Sequence, residues 1–323
     1  DRIAHLLPVV DQSKLDLQRD VVKNERRQRV DNVPYGKWNE TVLAALYPPN
    51  HPYHWSVIGS MADLSAASLD DVKQFFRTYY APNNATLVIA GDFNRDSALT
   101  WVNRYFGGIP RGPQMPPRPV VPKVTVPRDT VLLLEERVTL PRLYETWETG
   151  RIYAPDDAPL DILADVLAGD KNSRLYKRLV FDMQVAQDMT AFNNSTKLDG
   201  YFAIIVTPKP GQTPTRMASL VSEELNKIVT GGITPRELAR ALNSRRADFL
   251  DRLASVLGKS DRLAEYNYFA GTPDYAQQDA ARYDRVTAAD VQRVAKQYLM
   301  RPKVVLTVVP EGKKELMVSG GAN

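Results

Sequence analysis

The spacing of apolar residues predicts where the helices and strands of this chain lie. Two segments share one pattern, SLDDVKQFFRTYYAPNNATLVIAG at residues 68–91 and TAADVQRVAKQYLMRPKVVLTVVP at residues 287–310. Each begins with Ser or Thr, which predicts a helix N-cap, and continues with apolar residues at helical spacing up to a proline. Each ends in an apolar, β-branched run that predicts a strand. The pattern therefore predicts the same helix–proline–strand unit twice.

A constant offset of 219 residues aligns the two segments. Asp71, Val72, Tyr79 and Leu87 are each identical to the residue 219 positions later. This agreement favours an internal duplication over two unrelated helix–strand units, the alternative that the pattern leaves open. The same offset places the partner of a strand predicted at residues 130–138 about 89 positions before the numbering begins. We therefore expect the first repeat to lack roughly its first half.

A proline-rich stretch separates the two repeats. Residues 107–128, GGIPRGPQMPPRPVVPKVTVPR, contain seven prolines. Proline fixes the backbone angle φ and removes a hydrogen-bond donor, so this stretch predicts an extended linker. The sequence therefore predicts three parts: residues 1–106 as the end of the first repeat, the linker, and residues 129–323 as the second repeat.

The second repeat alternates strand patterns with helix patterns. Strands are predicted at 130–138 and 200–208, and helices near 158–169, from about Ser173 to 189, after Thr213 or Thr215, and after Thr234. Thr234, Pro235 and Glu237 have the spacing of a capping box. No glycine-rich phosphate loop follows a strand, which argues against a nucleotide-binding fold. We predict an α+β fold of two repeated units, each a mostly antiparallel sheet layered with helices, with the first unit truncated at its N-terminus.

Composition excludes several classes of function. The chain has 323 residues, 43% apolar and 25% charged, which is enough for about two domains. Its net charge is only +4, and it has no dense Lys/Arg tract with interleaved aromatic residues, so nucleic-acid binding has no support. No apolar run approaches about 18 residues, so no transmembrane segment is predicted. The absence of cysteine excludes disulfides and thiolate metal sites.

The three histidines are weak candidates for metal ligands. His5 has apolar neighbours on a predicted helix, which favours packing over ligation. His51 and His54 form an H-x-x-H pair in the stretch YPPNHPYHW. Prolines beside this pair oppose the helix that would direct both rings toward one ion. A structural role is therefore favoured for all three.

Glu25 is surrounded by the bases Lys23, Arg26, Arg27 and Arg29 in the segment VVKNERRQRVDN, residues 21–32. Ion pairs at i,i+3 and i,i+4 on a solvated helix face explain such a pattern. A carboxylate is also a suitable zinc ligand, but the chain does not gather enough histidines in one place to complete a site. The spacing alone leaves both interpretations open.

Several segments together resemble the pitrilysin, insulinase and mitochondrial-processing-peptidase superfamily of zinc metallopeptidases. They are QRDVVKNERRQRVDNVPYG at 18–36, the stretch from 51 to 93, NSRLYKRLV at 172–180 and YLMRPKVVLTVVPEG at 298–312, and they follow the order of the family. The resemblance implies an inverted H-x-x-E-H helix that supplies two histidine ligands and a glutamate that acts as the base. It also implies a third zinc ligand, a glutamate, about 75 residues later. Glu25 occupies the position of that third ligand. Counting back places H-x-x-E-H within the part that the offset predicts to be missing.

The resemblance implies zinc as cofactor in the complete protein, with a zinc-bound water attacking the peptide bond. It assigns Glu25 to the metal and no catalytic residue to this chain. The nearby Arg26, Arg27 and Arg29 are then expected to point to other faces of the helix, where they position it or pair with other acids. Many members carry a second Glu seven residues before the ligand, two helical turns away on the same face, where this sequence has Gln18. An amide orients a ligand or water but adds no charge. The predicted helix at 160–167 has no histidine, as in the metal-free second repeat of the family.

The sequence is therefore interpreted as a fragment of a zinc-dependent metalloendopeptidase that is inactive alone and does not hold zinc tightly. The alternative is a non-catalytic scaffold or assembly subunit of the same family, which Gln18 favours slightly. The expected partners are the remainder of its own polypeptide or a homologous half that completes a clamshell, and peptide substrates. Family analogy alone suggests a bacterial periplasmic or membrane-peripheral location.

Overall fold

Five strands form one mixed sheet in the order β1–β5–β2–β4–β3. The computed structural model describes residues 2–118, 120–121 and 124–319. Within them the strands are β1 (Thr130–Glu136), β2 (Arg142–Thr149), β3 (Ala186–Ser195), β4 (Gly200–Pro208) and β5 (Val304–Pro310). β1 and β5 are parallel, whereas the other pairings are antiparallel. A mostly antiparallel sheet layered with helices confirms the predicted α+β class.

Helices account for most of the remaining regular structure. They are α1 (Arg2–Val9), α2 (Gln12–Arg26), α3 (Trp38–Leu46), α4 (Met61–Ala66), α5 (Leu69–Tyr79), α6 (Arg95–Phe106), α7 (Asp157–Ala168), α8 (Pro214–Gly231), α9 (Pro235–Ala254), α10 (Val256–Phe269), α11 (Ala276–Asp284) and α12 (Ala288–Tyr298). Two π-helices cover Arg27–Asp31 and Tyr176–Asp182, and short 3₁₀ turns cover Pro52–His54, Pro82–Asn84 and Lys314–Leu316.

The sheet has a hydrophobic core on each face because successive strand residues point to opposite sides. On one face, Leu143 and Trp147 of β2 belong to a core that includes apolar residues of α7, α8 and α12. On the other face, Tyr144 belongs to a core with Val42 and Leu46 of α3. β4 is buried along its whole length, as expected for a strand covered on both sides.

The chain divides into two compact units, each of which is built from three separate stretches of the sequence. Unit 1 comprises residues 1–29, 57–120 and 250–274, and unit 2 comprises residues 30–56, 121–249 and 275–323. All five strands belong to unit 2, whereas no described residue of unit 1 lies in a strand. Segment 30–56 therefore packs with the sheet of unit 2, and segment 250–274 packs with the N-terminal helices of unit 1.

The two similar segments form matching helices but only one strand. Both α5 and α12 begin with a capping box, Ser68 with Asp71 and Thr287 with Asp290. Residues 304–310 then form β5, whereas the strand predicted near residue 87 is absent. Leu87 is 56% exposed there. No described strand lies beside this segment, and an isolated extended segment cannot pair its backbone groups.

Two of the elements predicted in the second half of the chain are confirmed, and one helix is wrong in part. β4 has the predicted bounds, and Thr234 donates its backbone N–H to Glu237 Oε2 at 2.7 Å in the predicted capping box. The helix predicted from Ser173 to 189 is wrong beyond residue 182, because the π-helix ends there and β3 begins at Ala186. Gln184 has φ of 52°, a left-handed conformation that interrupts the helix.

The described residues from 110 to 128 contain no helix or strand. Pro119, Pro122 and Lys123 of the predicted linker lie outside the described residues. The division into two repeats joined by this linker stays a prediction.

Candidate functional site

Glu25 lies near the end of α2, the helix predicted around it. α2 begins after Asp11, whose Oδ1 accepts a hydrogen bond from the Lys14 backbone N–H at 2.9 Å. It ends at Arg26 and continues without a break into the π-helix Arg27–Asp31. The Glu25 side chain is 38% exposed. It is therefore neither buried in a core nor fully solvated.

Two arginines connect α2 by hydrogen bonds to the segment that contains α4. Arg19 donates from Nε to the carbonyl oxygen of Leu64 at 2.8 Å and from Nη2 to that of Ala67 at 2.7 Å. Arg26 donates from Nη1 to the carbonyl oxygen of Gly59 at 2.8 Å. Because these arginines are seven residues apart, they lie on the same face of the helix. The sequence-based expectation that the bases position the helix therefore fits Arg26.

Gln18 and Glu25 lie on a different face of α2. Each immediately precedes one of the fastening arginines, so it is rotated by about 100° around the helix axis. Gln18 is exposed, as are Leu17 and Val21. The structure thus brings Gln18 and Glu25 to one side of α2, two turns apart, without burying either.

Arg29 forms the ion pair that the simpler interpretation of Glu25 predicts. Arg29 Nη1 lies 3.2 Å from Glu25 Oε1 at i,i+4 spacing. This corrects the expectation that Arg29 points to another face of the helix. A solvent-exposed pair of this kind contributes about 0.3–0.5 kcal/mol, so a stronger partner easily replaces it.

A complete zinc site is not formed by the part of the chain that the structure describes. Within it, no three His, Cys, Asp or Glu side chains are grouped so that they could hold a metal ion. Glu25 provides one carboxylate, whereas zinc requires three or four protein donors in tetrahedral geometry. The residues present therefore do not fit a resident zinc ion by themselves.

His51 and His54 fix the fold around α3. His51 is buried, stacks on the Tyr47 ring at 4.5 Å between centroids, and accepts the Tyr53 backbone N–H on Nδ1 at 3.0 Å. Burial lowers the pKa of His51. His54 Nδ1 lies 2.7 Å from the carbonyl oxygen of Tyr47. Each ring thus uses a nitrogen on the backbone, whereas His5 of α1 is exposed rather than packed.

A segment of α9 resembles the segment around Glu25 in sequence, and the offset between the two similar helix–proline–strand segments reveals this resemblance. The offset of 219 residues aligns Asn24, Arg26 and Arg27 with identical residues, at Asn243, Arg245 and Arg246. It aligns Glu25 with Ser244. The offset therefore pairs the candidate ligand position with a residue that has no carboxylate.

Arg245 holds α9 in place as Arg26 holds α2, but it donates to an acidic side chain as well as to a backbone carbonyl. Its Nη2 donates to Asp165 Oδ1 at 3.0 Å and to the carbonyl oxygen of Asp161 at 3.2 Å. Both acids belong to α7, the helix predicted to lack metal ligands. The arginine at this position thus keeps a positioning role in each half of the chain.

Comparison with known proteins identifies the family. The profile of the Peptidase M16 inactive domain matches residues 66–245, more than half of the chain. The chain belongs to the M16 peptidase family. This result confirms the resemblance to the pitrilysin and mitochondrial-processing-peptidase superfamily.

Individual relatives of this M16 chain agree in fold. Zinc protease PqqE from Helicobacter pylori is 28% identical over 287 residues, which are 87% of this chain and 63% of the relative. A protease structure from Helicobacter pylori superposes with a TM-score of 0.85 and 24% identity, over 93% of this chain and 73% of that one. The structure of an M16 inactive domain from Pseudomonas fluorescens superposes with a TM-score of 0.81 and 16% identity, over 94% of this chain and 71% of that one. The chain thus spans less than two thirds of PqqE.

The M16 chain offers no described helix with the length and apolar character needed to span a bilayer.

Proposed function

We propose that the chain is part of a zinc-dependent metalloendopeptidase and that Glu25 is one of its zinc ligands. The observation that carries this proposal is the setting of Glu25 on α2. Arg19 and Arg26 hold the helix through one face, while the carboxylate on another face pairs with the exposed Arg29. A ligand held on a fixed helix, with a weak partner, is suited to exchange that partner for a metal.

The remaining donors and the catalytic base would come from a part of the complete protein that this chain does not include. In the proposed arrangement, two histidines join Glu25, and water takes the fourth position. Gln18, two turns earlier on the same face, would orient a ligand or a water by hydrogen bonding. The chain alone is inactive and does not hold zinc tightly, because one carboxylate does not close a coordination shell.

The two sequence repeats are proposed to be structural copies, with the second free of metal. Ser244 at the position equivalent to Glu25 supports this assignment, since its hydroxyl is a poor zinc ligand at neutral pH. A homologous half would complete a clamshell around peptide substrates. Gln18 supports the rival proposal of a non-catalytic scaffold, because the amide removes a negative charge from the neighbourhood of the metal.

Zinc content separates these proposals. We would purify the isolated chain and the complete polypeptide, dialyse both, and measure bound zinc and hydrolysis of an unstructured peptide. We expect zinc near one equivalent and chelator-sensitive hydrolysis only in the complete polypeptide. Glu25→Gln should remove most of both, whereas Glu311→Gln, which neutralises an exposed acid of unit 2, should leave zinc unchanged.

Three outcomes would contradict this assignment. Stoichiometric zinc in the isolated chain would place the site elsewhere in the chain. A folded complete polypeptide without zinc or hydrolysis would favour the scaffold. Unchanged zinc in Glu25→Gln would leave Glu25 as an acid on a solvated basic helix.

A further inference from the structure

Four carboxylates and two guanidinium groups meet around α7 within unit 2. We refer to this group as the α7 clasp; its members are Asp157, Asp161, Asp165, Asp279, Arg245 and Arg282. Three of the acids project from α7 at intervals of four residues, so they form one row along the helix. One arginine comes from α9 and the other from α11. The clasp therefore ties three helices together.

The α9 side of the clasp is a forked contact. Arg245 Nη2 donates to Asp165 Oδ1 at 3.0 Å, and Nη1 lies 3.7 Å from Asp161 Oδ2. Burial raises the pKa of Asp165, Arg245 opposes this change, and the negative charges of Asp248 and Asp170 add to it. A guanidinium that engages two carboxylates fixes the orientation of its helix as well as its distance.

The α11 side uses an arginine and a tyrosine. Arg282 donates from Nη1 to Asp157 Oδ2 at 2.9 Å and from Nη2 to Asp279 Oδ1 at 2.6 Å. Tyr283 donates its hydroxyl to Asp161 Oδ2 at 2.6 Å. These contacts hold α11 against the first two turns of α7.

The clasp contains more acids than bases. Four carboxylates face two guanidinium groups, and the neutral Asn193 of β3 donates to Asp157 at 3.2 Å and to Asp161 at 3.3 Å. The nearby bases of other helices are already engaged, since Arg246 pairs with Asp284 and Arg293 pairs with Asp156. Tyr298 of α12 also donates to Asp156. An excess negative charge therefore stays in an almost enclosed site, which is costly.

Asp161 is the member that relieves this excess. Burial raises its pKa to about 6, and the charge of Asp157 acts in the same direction, whereas Arg245 and the donors Tyr283 and Asn193 oppose the change. Asp161 therefore takes up a proton in mildly acidic solution.

The clasp lies at both ends of a segment that leaves unit 2. The chain passes from unit 2 into unit 1 after residue 249 and returns at residue 275. Arg245 lies just before the exit, and Arg282 lies shortly after the return. Within unit 1, this segment is fastened by Asn267, whose Nδ2 donates to Thr86 Oγ1 at 2.9 Å. Arg245 and Arg282 of the clasp therefore lie within about eight residues of the two ends of this segment along the chain.

We propose that the α7 clasp is a pH-sensitive hinge that holds both ends of segment 250–274 firmly in mildly acidic solution and loosens at higher pH. The direction of this pH dependence follows from the pKa of Asp161 in the open and in the closed clasp. In an opened clasp, water surrounds the carboxyl, and its pKa returns to about 3.9. The closed clasp therefore binds the proton more tightly, so acidification favours closure and a rise of pH through the higher value favours opening.

Amide hydrogen exchange tests the hinge. We would measure exchange at pH 5 and pH 7.5 in the complete chain, correct for the intrinsic pH dependence, and follow peptides that cover α11 and residues 242–254. We expect protection in these peptides to be roughly tenfold higher at pH 5. The side chain of Asp161→Asn cannot ionise, so its protection should change far less between the two pH values than that of wild type, and it should exceed that of wild type at pH 7.5.

Asp284→Asn is the matched control, because Asp284 is an exposed acid at the end of α11 that pairs with Arg246 outside the clasp. It should keep the pH dependence of wild type. Tyr283→Phe provides a second test if Asp161→Asn does not fold. Losing the hydroxyl donor raises the pKa of Asp161, so the midpoint of opening should move to higher pH. Equal protection at both pH values in wild type, or the same pH dependence in Asp161→Asn, would overturn the proposal.

Discussion

Arg29 Nη1 lies 3.2 Å from Glu25 Oε1, one turn further along the same continuous helix. The two residues form the ion pair expected of a solvated basic helix, and the carboxylate of Glu25 is also the candidate zinc ligand. These two roles are compatible, because a weak surface pair holds the carboxylate in place until a cation with a higher charge replaces it. Substitutions can separate the two roles.

Arg29→Ala and Glu25→Gln break the same ion pair, but only the second removes the carboxylate. We expect Arg29→Ala to change the free energy of unfolding by less than about 0.5 kcal/mol and to leave zinc binding by the complete polypeptide intact. Glu25→Gln should lose most of the zinc. Urea denaturation and metal analysis of both variants provide the measurements. The same loss of zinc in both would show that the ion pair, rather than the ligand, is required.

Arg19 should contribute more to stability than the exposed bases of the same region. Its guanidinium donates to two backbone carbonyls, those of Leu64 and Ala67. Arg19→Ala should lower the free energy of unfolding by about 1.5–3 kcal/mol, since hydrogen bonds to a charged group are lost and two carbonyls lose their partner. Arg27→Ala, at an exposed position, should change it by less than about 0.5 kcal/mol. Equal effects in urea denaturation would contradict the assigned fastening role.

Features determined by a few neighbouring residues could be predicted from the sequence. The Thr234–Glu237 capping box and the bounds of β4 depend on local spacing, and both are present. β2 was missed because Glu145 and Thr146 interrupt its apolar pattern. Those polar residues are buried because β2 lies between β4 and β5 in a sheet that has a hydrophobic core on each face. The partner of a strand is a long-range property that the spacing within the strand does not contain.

The same distinction applies to the candidate site. Spacing placed Glu25 and Gln18 on one helix face and suggested that bases position the helix. The acceptors of Arg26 and Arg19 are carbonyls more than 30 residues away, which no local pattern identifies. The α7 clasp likewise joins residues that are far apart in sequence. Its one local signal is the row of Asp157, Asp161 and Asp165 at four-residue intervals.

His51 should make the fold less stable in mildly acidic solution. Burial lowers its pKa below the usual value of 6.5. The unfolded chain therefore takes up a proton near pH 6.5 while the folded chain does not, so stability falls as pH decreases from 6.5 toward the lowered value. Asp161 acts in the opposite direction over the same pH range, so the prediction concerns the difference between two proteins. Between pH 7 and pH 5, the urea denaturation midpoint of wild type should fall relative to that of His51→Gln, which cannot take up this proton, and parallel midpoints would contradict the prediction.

Glu237 should add to stability above pH 4.5. Its hydrogen bonds with Arg174 first, and then with Thr234, lower its pKa from 4.5 to about 2. The unfolded chain therefore binds this proton at a higher pH than the folded chain, and the stability that Glu237 provides is lost as pH falls from 4.5 to about 2. Glu237→Gln should be less stable than wild type at pH 7 and nearly equal to it near pH 2. Glu223→Gln, a more exposed partner of Arg178, should have a smaller effect.

Residues 85–91 should become a strand in the complete polypeptide. Leu87 and Ile89 are 56% and 47% exposed, whereas Leu306, the residue equivalent to Leu87, is fully buried in β5 between β1 and β2. If the two segments are copies, strands from the remainder of the polypeptide should flank residues 85–91 in the same way. Their amides should exchange rapidly in the isolated chain and slowly in the complete polypeptide.

The substitution Leu87→Lys tests this prediction by its dependence on context. In the isolated chain, the lysine would stay in water, so the free energy of unfolding should change by less than about 0.5 kcal/mol. In the complete polypeptide, the same lysine would have to enter a sheet that is covered on both faces. Burial of an unpaired charge there should lower the free energy of unfolding by several kcal/mol, on the order of 3 or more. Arg128→Lys, which keeps the charge at an exposed position, serves as the control. A small effect of Leu87→Lys in both proteins would show that residues 85–91 stay outside any sheet, and that the first repeat is not a copy of the second.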